Sequence, residues 1–125
     1  MSQFTKPLVL LVALTVLVSV PAGAQDRTTV ESDMVTHTKA ATIAVTQANA
    51  ALAAGNKKKS CLGLRTAAAE LEIAELLAAQ DQYLIDDDKR IDDVTRAAQK
   101  QALSEQIAKM AGTHDHLNAL ISENC

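Results

Sequence analysis

The sequence predicts an all-α protein: an antiparallel bundle of three long helices and a short C-terminal helix, after a cleaved signal peptide. Three observations carry this. Alanine, the strongest helix former, comes in runs at Ala50-Ala51, Ala53-Ala54, Ala67-Ala68-Ala69 and Ala78-Ala79. Beyond the first two dozen residues only Gly55, Gly63 and Gly112 remain as glycines and no proline remains. Apolar residues in that part recur at steps of three and four, the period of a helix.

The N-terminus has the layout of a secretory leader. Lys6 precedes an apolar run from Leu8 to Val18, which Ser19-Val20-Pro21-Ala22-Gly23-Ala24 follows. A basic start, a short apolar segment and a small-x-small exit fit a signal peptidase site. The run is shorter than the ~20 residues a membrane-spanning helix needs. Cleavage after Ala24 divides the chain into a signal peptide, residues 1–24, and a single helical domain, residues 25–125. Losing Lys6 takes the formal charge from −3 to −4.

Helix one is expected to start at Thr28, where Thr28 and Glu31 have the spacing of a capping box. Val30, Met34, Ala41, Val45, Ala48 and Leu52 form its apolar stripe, and Gly55-Asn56 ends it. Lys57 to Lys59 read as a solvated loop, with Ser60 capping the next helix. Helix two, from about Cys61 to Ile85, carries two stripes. Leu64, Ala67, Leu71, Ala74, Ala78 and Ile85 form one; Leu62, Ile73, Leu77 and Leu84 form the other. Glu70 and Asp81 divide them on one side. A helix with two dry faces touches neighbours on both.

Asp86-Asp87-Asp88 reads as the turn into helix three, since aspartate favours a helix N-terminus. Asp86 with Arg90 and Asp92 with Arg96 are four-residue ion pairs. The apolar phase of Leu77 and Leu84 runs on into Ile91, Val94 and Ala98, so one very long helix is the competing reading. In helix three the stripe is Ile91, Val94, Ala98 and Ala102, then Leu103, Ile107 and Met110. Gly112-Thr113 reads as a stop and a cap before the short last helix, although Leu103 to Ile121 stay in phase across it.

Cys61 and Cys125 are the two cysteines. An even count in an exported chain predicts one disulfide. That pairing bears on Gly112. Three helices of about two dozen residues are each roughly 36 Å long, and a straight helix three would overshoot Cys61 by roughly 18 Å. Bridged cysteines need Cα atoms within ~7 Å, so the pairing favours a bend. The competing reading of Cys61 is a reactive thiol tuned by the neighbouring lysines.

Composition excludes much. With Phe4 in the leader and no Trp, Tyr83 is the one aromatic of the mature chain, too few for sugar platforms or base stacking. The mild acidity argues against nucleic acid. His114-Asp115-His116 is the cluster of metal-type residues, but residues two apart on a regular helix point apart. His37 on the stripe of helix one reads as a packed core histidine rather than a haem ligand. Asp86 to Asp93 fails as a calcium loop, because Ile91 and Ala97 stand where glycine and glutamate are required. No nucleophile or phosphate-cradling motif is present.

The expected function is that of an exported, periplasmic or extracellular, non-enzymatic binding or adaptor protein. It needs no cofactor and has no membrane segment after cleavage. Its partner is another protein or a second copy, engaged through Leu62, Ile73, Leu77 and Leu84. The alternative is metal sequestration or sensing at His114 and His116.

Overall fold

The structure, a computed structural model, describes residues 25–125. The expected leader lies outside the described residues. Three helices follow in order: α1 (Gln25–Ala53), α2 (Lys57–Asp87) and α3 (Asp93–Asn124).

α1 is already helical at Gln25, so Thr28 lies inside the helix and the expected capping box does not form. Glu31 turns inward instead, toward the Arg27 guanidinium 3.9 Å away. Val30, Met34, Ala41, Val45 and Ala48 are buried as the stripe predicts, with Ala44 and Ala51 beside them. Threonine is a mediocre helix residue. Here the hydroxyls of Thr36, Thr38, Thr42 and Thr46 donate to the carbonyl four residues back, which satisfies them within the helix. Gly55, at φ +78°, turns the chain in a conformation glycine adopts without strain.

Asn56, not Ser60, caps α2. Its side chain accepts from the Lys59 amide at 3.0 Å. Lys57 to Lys59 therefore form the first turn of the helix rather than a loop, and Ser60 is buried. The expected core stripe of α2 is sealed, from Leu64 through Ile85. Its full extent is a seven-residue register. Ser60, Ala67, Ala74, Asp81 and Asp88 form one buried line; Leu64, Leu71, Ala78 and Ile85 form the other. Alternating three and four steps of this kind make a coiled-coil seam.

The chain turns at residues 88–92. Asp92 caps α3 by accepting from the Thr95 amide at 2.6 Å, so the turn lies where the aspartates place it but the cap comes later. The expected four-residue pairs are replaced. Asp86 meets Lys100 at 2.8 Å, Arg90 meets Asp88 at 2.9 Å and Arg96 meets Asp93 at 3.0 Å. Arg96 also donates to the carbonyls of Ile85, Asp88 and Ile91. It thereby neutralises the open carbonyl end of α2.

α3 runs unbroken through Gly112. The Thr113 hydroxyl donates to the Lys109 carbonyl at 3.0 Å, as an interior helical residue does. The described residues thus contain three helices, without a separate short last one. The register explains why no bend is needed. Gln82 meets Ser104, Glu75 meets His114, and Cys61 meets Cys125. These pairs fold about a point near Asp93: α3 starts later than the Asp86–Asp88 turn predicts, and its first residues overhang the end of α2, which together absorb the expected excess. Leu103, Met110 and Leu117, seven apart, set the seam of α3, with Gln99 and Gln106 completing it. Val94, Ala98 and Ala102 of the expected stripe are exposed.

α2 is the middle element. α1 and α3 pack on different sides of it, and no Cα of α1 comes within 8 Å of one in α3. Met34, Met110, Leu103, Leu117 and Val45 belong with the α2 leucines to one apolar cluster.

Candidate functional site

Three features stand out on this frame. The first is the side of α2 turned away from both neighbours. Glu70, which meets α1, and Glu75, Ala68 and Cys61, which lie toward α3, mark the two packed flanks. Opposite them lie Leu62, Ala69, Ile73, Leu76 and Tyr83, at the three-, four- and seven-residue steps of one helix face. Leu62 is 64%, Leu76 67% and Tyr83 75% exposed, while Ile73 is 39% exposed. A single exposed leucine is ordinary; five apolar residues on one helix face, interrupted only by polar residues such as Arg65 and Gln80, are not.

The predicted binding stripe is divided by the packing. Leu62 and Ile73 belong to this outer face. Leu77 and Leu84 are half-buried, because they lie seven and fourteen residues beyond Glu70 on the line that faces α1, and Leu77 packs on the core. Leu76 and Tyr83 take their places outside. The wheel groups all four predicted residues as apolar, but only the position of α1 decides which of them stay open.

The second feature is a pair of histidine–glutamate bridges across the seams. His37 Nδ1 lies 2.5 Å from Glu70 Oε2 between α1 and α2; His114 Nδ1 lies 2.7 Å from Glu75 Oε1 between α3 and α2. His37, expected as a packed core histidine, lies instead at the half-buried edge of the seam, where Glu70 supplies its hydrogen-bond partner. His116 is exposed and lies on a different side of α3 from His114. Among the described residues no group of three or more histidine, cysteine or carboxylate side chains is placed to hold a metal ion. His114 is engaged by Glu75 instead.

The third feature was not read from the sequence. Arg27, only 3% exposed, sits among three carboxylates. Its Nε lies 3.6 Å from Asp81 Oδ1, its Nη1 lies 3.6 Å from Asp88 Oδ2, and Glu31 is the third. Asp81 is fully buried, and neither of its side-chain oxygens accepts a hydrogen bond. One guanidinium cannot neutralise three carboxylates in a poorly solvated site. Burial, reinforced by the Asp81 charge and opposed by Arg27, pushes the Glu31 carboxyl from its ordinary 4.5 to about 7. Burial also raises Asp81, against the pull of Arg27. Asp88 goes the other way, because the Arg90 hydrogen bonds hold it low. The cluster therefore stores a proton near neutrality. It opens onto no cleft, since Asp81 and Arg27 are sealed. A signal was available: Asp81 and Asp88 continue the Ala67–Ala74 line at seven-residue steps, and Arg27 stands seven before Met34.

Cys61 and Cys125 are joined as a disulfide with Cα atoms 5.9 Å apart, which ties the start of α2 to the last residue of the chain. Among the described residues, no helix is long and apolar enough to cross a membrane. The chain matches no known protein-family model, no curated protein and no solved structure.

Proposed function

We propose that this protein is an exported, non-enzymatic helical binding protein whose working surface is the outer face of α2. The observation that carries this reading is the uncovered apolar line Leu62–Ala69–Ile73–Leu76–Tyr83, held straight by a helix that is clamped on both flanks. Helical partners commonly dock through such three- and four-step anchors. The buried titratable groups serve the packing, and those on the outer face do not converge on a pocket, so the reading assigns no catalysis and no cofactor. Export is supported by the layout of residues 1–24 and by the cysteine pair.

Two measurements test it. Intact mass of the secreted protein should correspond to a chain that starts at Gln25 with both cysteines oxidised; a full-length, reduced cytosolic chain would remove the export reading. Cross-linking in the exported fraction should give adducts with the wild-type protein that Leu76→Glu loses. Identical adducts from both proteins would remove the α2 face as the working surface.

A further inference from the structure

The outer face of α2 has an internal symmetry. Read from its N-terminal end it runs Lys58, Leu62, Arg65, Ala69, Glu72, Ile73, Leu76, Gln80, Tyr83, Asp87, all exposed. Laid antiparallel on a second copy, with the crossing between Glu72 and Ile73, Leu62 faces Tyr83 and Ala69 faces Leu76. Arg65 faces Gln80 and Lys58 faces Asp87. At the crossing Ile73 meets Glu72; the other apolar positions, Leu62, Ala69, Leu76 and Tyr83, meet apolar ones, and the cationic end meets the anionic end. A two-fold interface requires this kind of self-complementary patch, and steps of three and four let two helices mesh along their length.

A second observation points the same way. α2 carries Lys57, Lys58 and Lys59 in its first turn and Asp86 and Asp87 in its last, with no acidic residue at its start and no basic residue at its end. This is the wrong way round for the helix dipole, which favours acidic residues at the start and basic ones at the end. Lys100 answers Asp86 from within the bundle. An antiparallel second α2 would answer the rest, since its aspartates arrive over the lysines.

We infer that the occupant of this face is a second copy of the same chain, paired antiparallel through α2 in a symmetric dimer. This rests on the reading of the outer face as the binding surface, and names its partner. Leu76 is the central anchor, and Lys58 with Asp87 fixes the direction of pairing.

Sedimentation of the oxidised protein tests it. The wild type should run at twice the chain mass. Leu76→Glu should weaken self-association by at least about 100-fold while keeping the helical content of the chain, because the side chain is outside the core. Lys58→Asp and Asp87→Lys should each weaken it by about tenfold, since each places like charges at both ends of the seam. An equimolar mixture of these two variants should recover the wild-type affinity, because every facing pair is then of opposite sign.

A mixture no tighter than either variant alone overturns the antiparallel pairing, and a Leu76→Glu dimer as tight as wild type overturns the surface. A monomeric wild type overturns the dimer. If Leu76→Glu then still loses cross-linked partners, the binding-face reading survives without it. If it loses none, both fall.

Discussion

The two seams of α2 are built on different principles. Against α1 the contact is made of small residues: Ala41, Ala44, Ala48 and Ala51 on one side, Gly63, Ala67 and Ala74 on the other. At Gly63 a Cβ would stand 2.9 Å from both the Ala44 carbonyl oxygen and the Ala48 Cβ, so backbone nearly touches backbone. Against α3 the contact is made of large side chains, Leu103, Met110 and Leu117, and the helix backbones keep a greater distance. Each seam has one histidine–glutamate bridge along its length and one fastening at its end. α1 is fastened by charge, through Arg27 to Asp81 and Asp88; α3 is fastened covalently, through Cys125 to Cys61. Close backbone contact holds a helix by dispersion and shape, whereas a looser leucine–methionine seam gains most from a tether.

The largest expected effect breaks the tether. The disulfide spans a sequence separation of 64 residues, and its loss, as Cys61→Ser with Cys125→Ser, should cost about 4 kcal/mol in the chain-entropy model. Denaturant unfolding reads the total, and hydrogen exchange should show the protection lost first at the C-terminal turns of α3 rather than in α1. Equal loss in both helices would contradict the division between the seams.

Next comes the charged fastening of α1. With its carboxyl raised from 4.5 to about 7, Glu31 contributes stability that is complete below pH ~4.5 and lost as pH rises through ~7, about 3 kcal/mol in all. Asp81 shifts in the same direction. Asp88, held low by Arg90, acts oppositely and loses its contribution only in acid. Glu31→Gln, which imitates the protonated form, should flatten the stability profile between pH 5 and 8 and melt above wild type at pH 8. A parallel profile in both proteins would remove Glu31 as the titrating group.

The smallest effects sharpen the comparison by sign. Gly63→Ala should destabilise by about 2 kcal/mol, because the added methyl meets backbone that can only move apart. Gly112→Ala should stabilise by about 0.5–1 kcal/mol. It sits mid-helix with nothing within 4 Å of its Cβ position, and alanine there reduces the freedom of the unfolded chain. Thermal melts of the two variants should move in opposite directions.

Much of this fold was legible because the apolar stripes are regular. The core line of α2 from Leu64 to Ile85 follows from spacing, the stop at Gly55 from the conformational freedom of glycine, and the cysteine pairing from an even count. What was hidden lies where polar residues occupy seam positions. Gln99 and Gln106 are buried, so the eye follows Ala98 and Ala102 instead and sees the stripe of helix three change sides. Asp81 reads as a divider of two stripes until Arg27, more than fifty residues earlier, supplies its counter-charge. Gly112 reads as a stop because glycine usually punctuates. Its tolerance here comes from flanking turns whose seam residues, Met110 and Leu117, are anchored. The open side of α2 was half visible: periodicity finds an apolar face, but which edge of it stays wet depends on where α1 lies.

A repeat of seven in alanine is degenerate. Slid by one repeat toward the end of α2, α1 would again lay alanine on alanine, Ala41 on Ala74 and Ala48 on Ala67, and only Gly63, whose place Glu70 would take, marks the apolar contact against the slip. The slipped arrangement would leave the buried Asp81 facing Met34 in place of Arg27 and part His37 from Glu70. The sparse ionic groups thus act, together with Gly63, as a vernier on a nearly unmarked rod: they select one alignment from those a seven-residue alanine repeat offers.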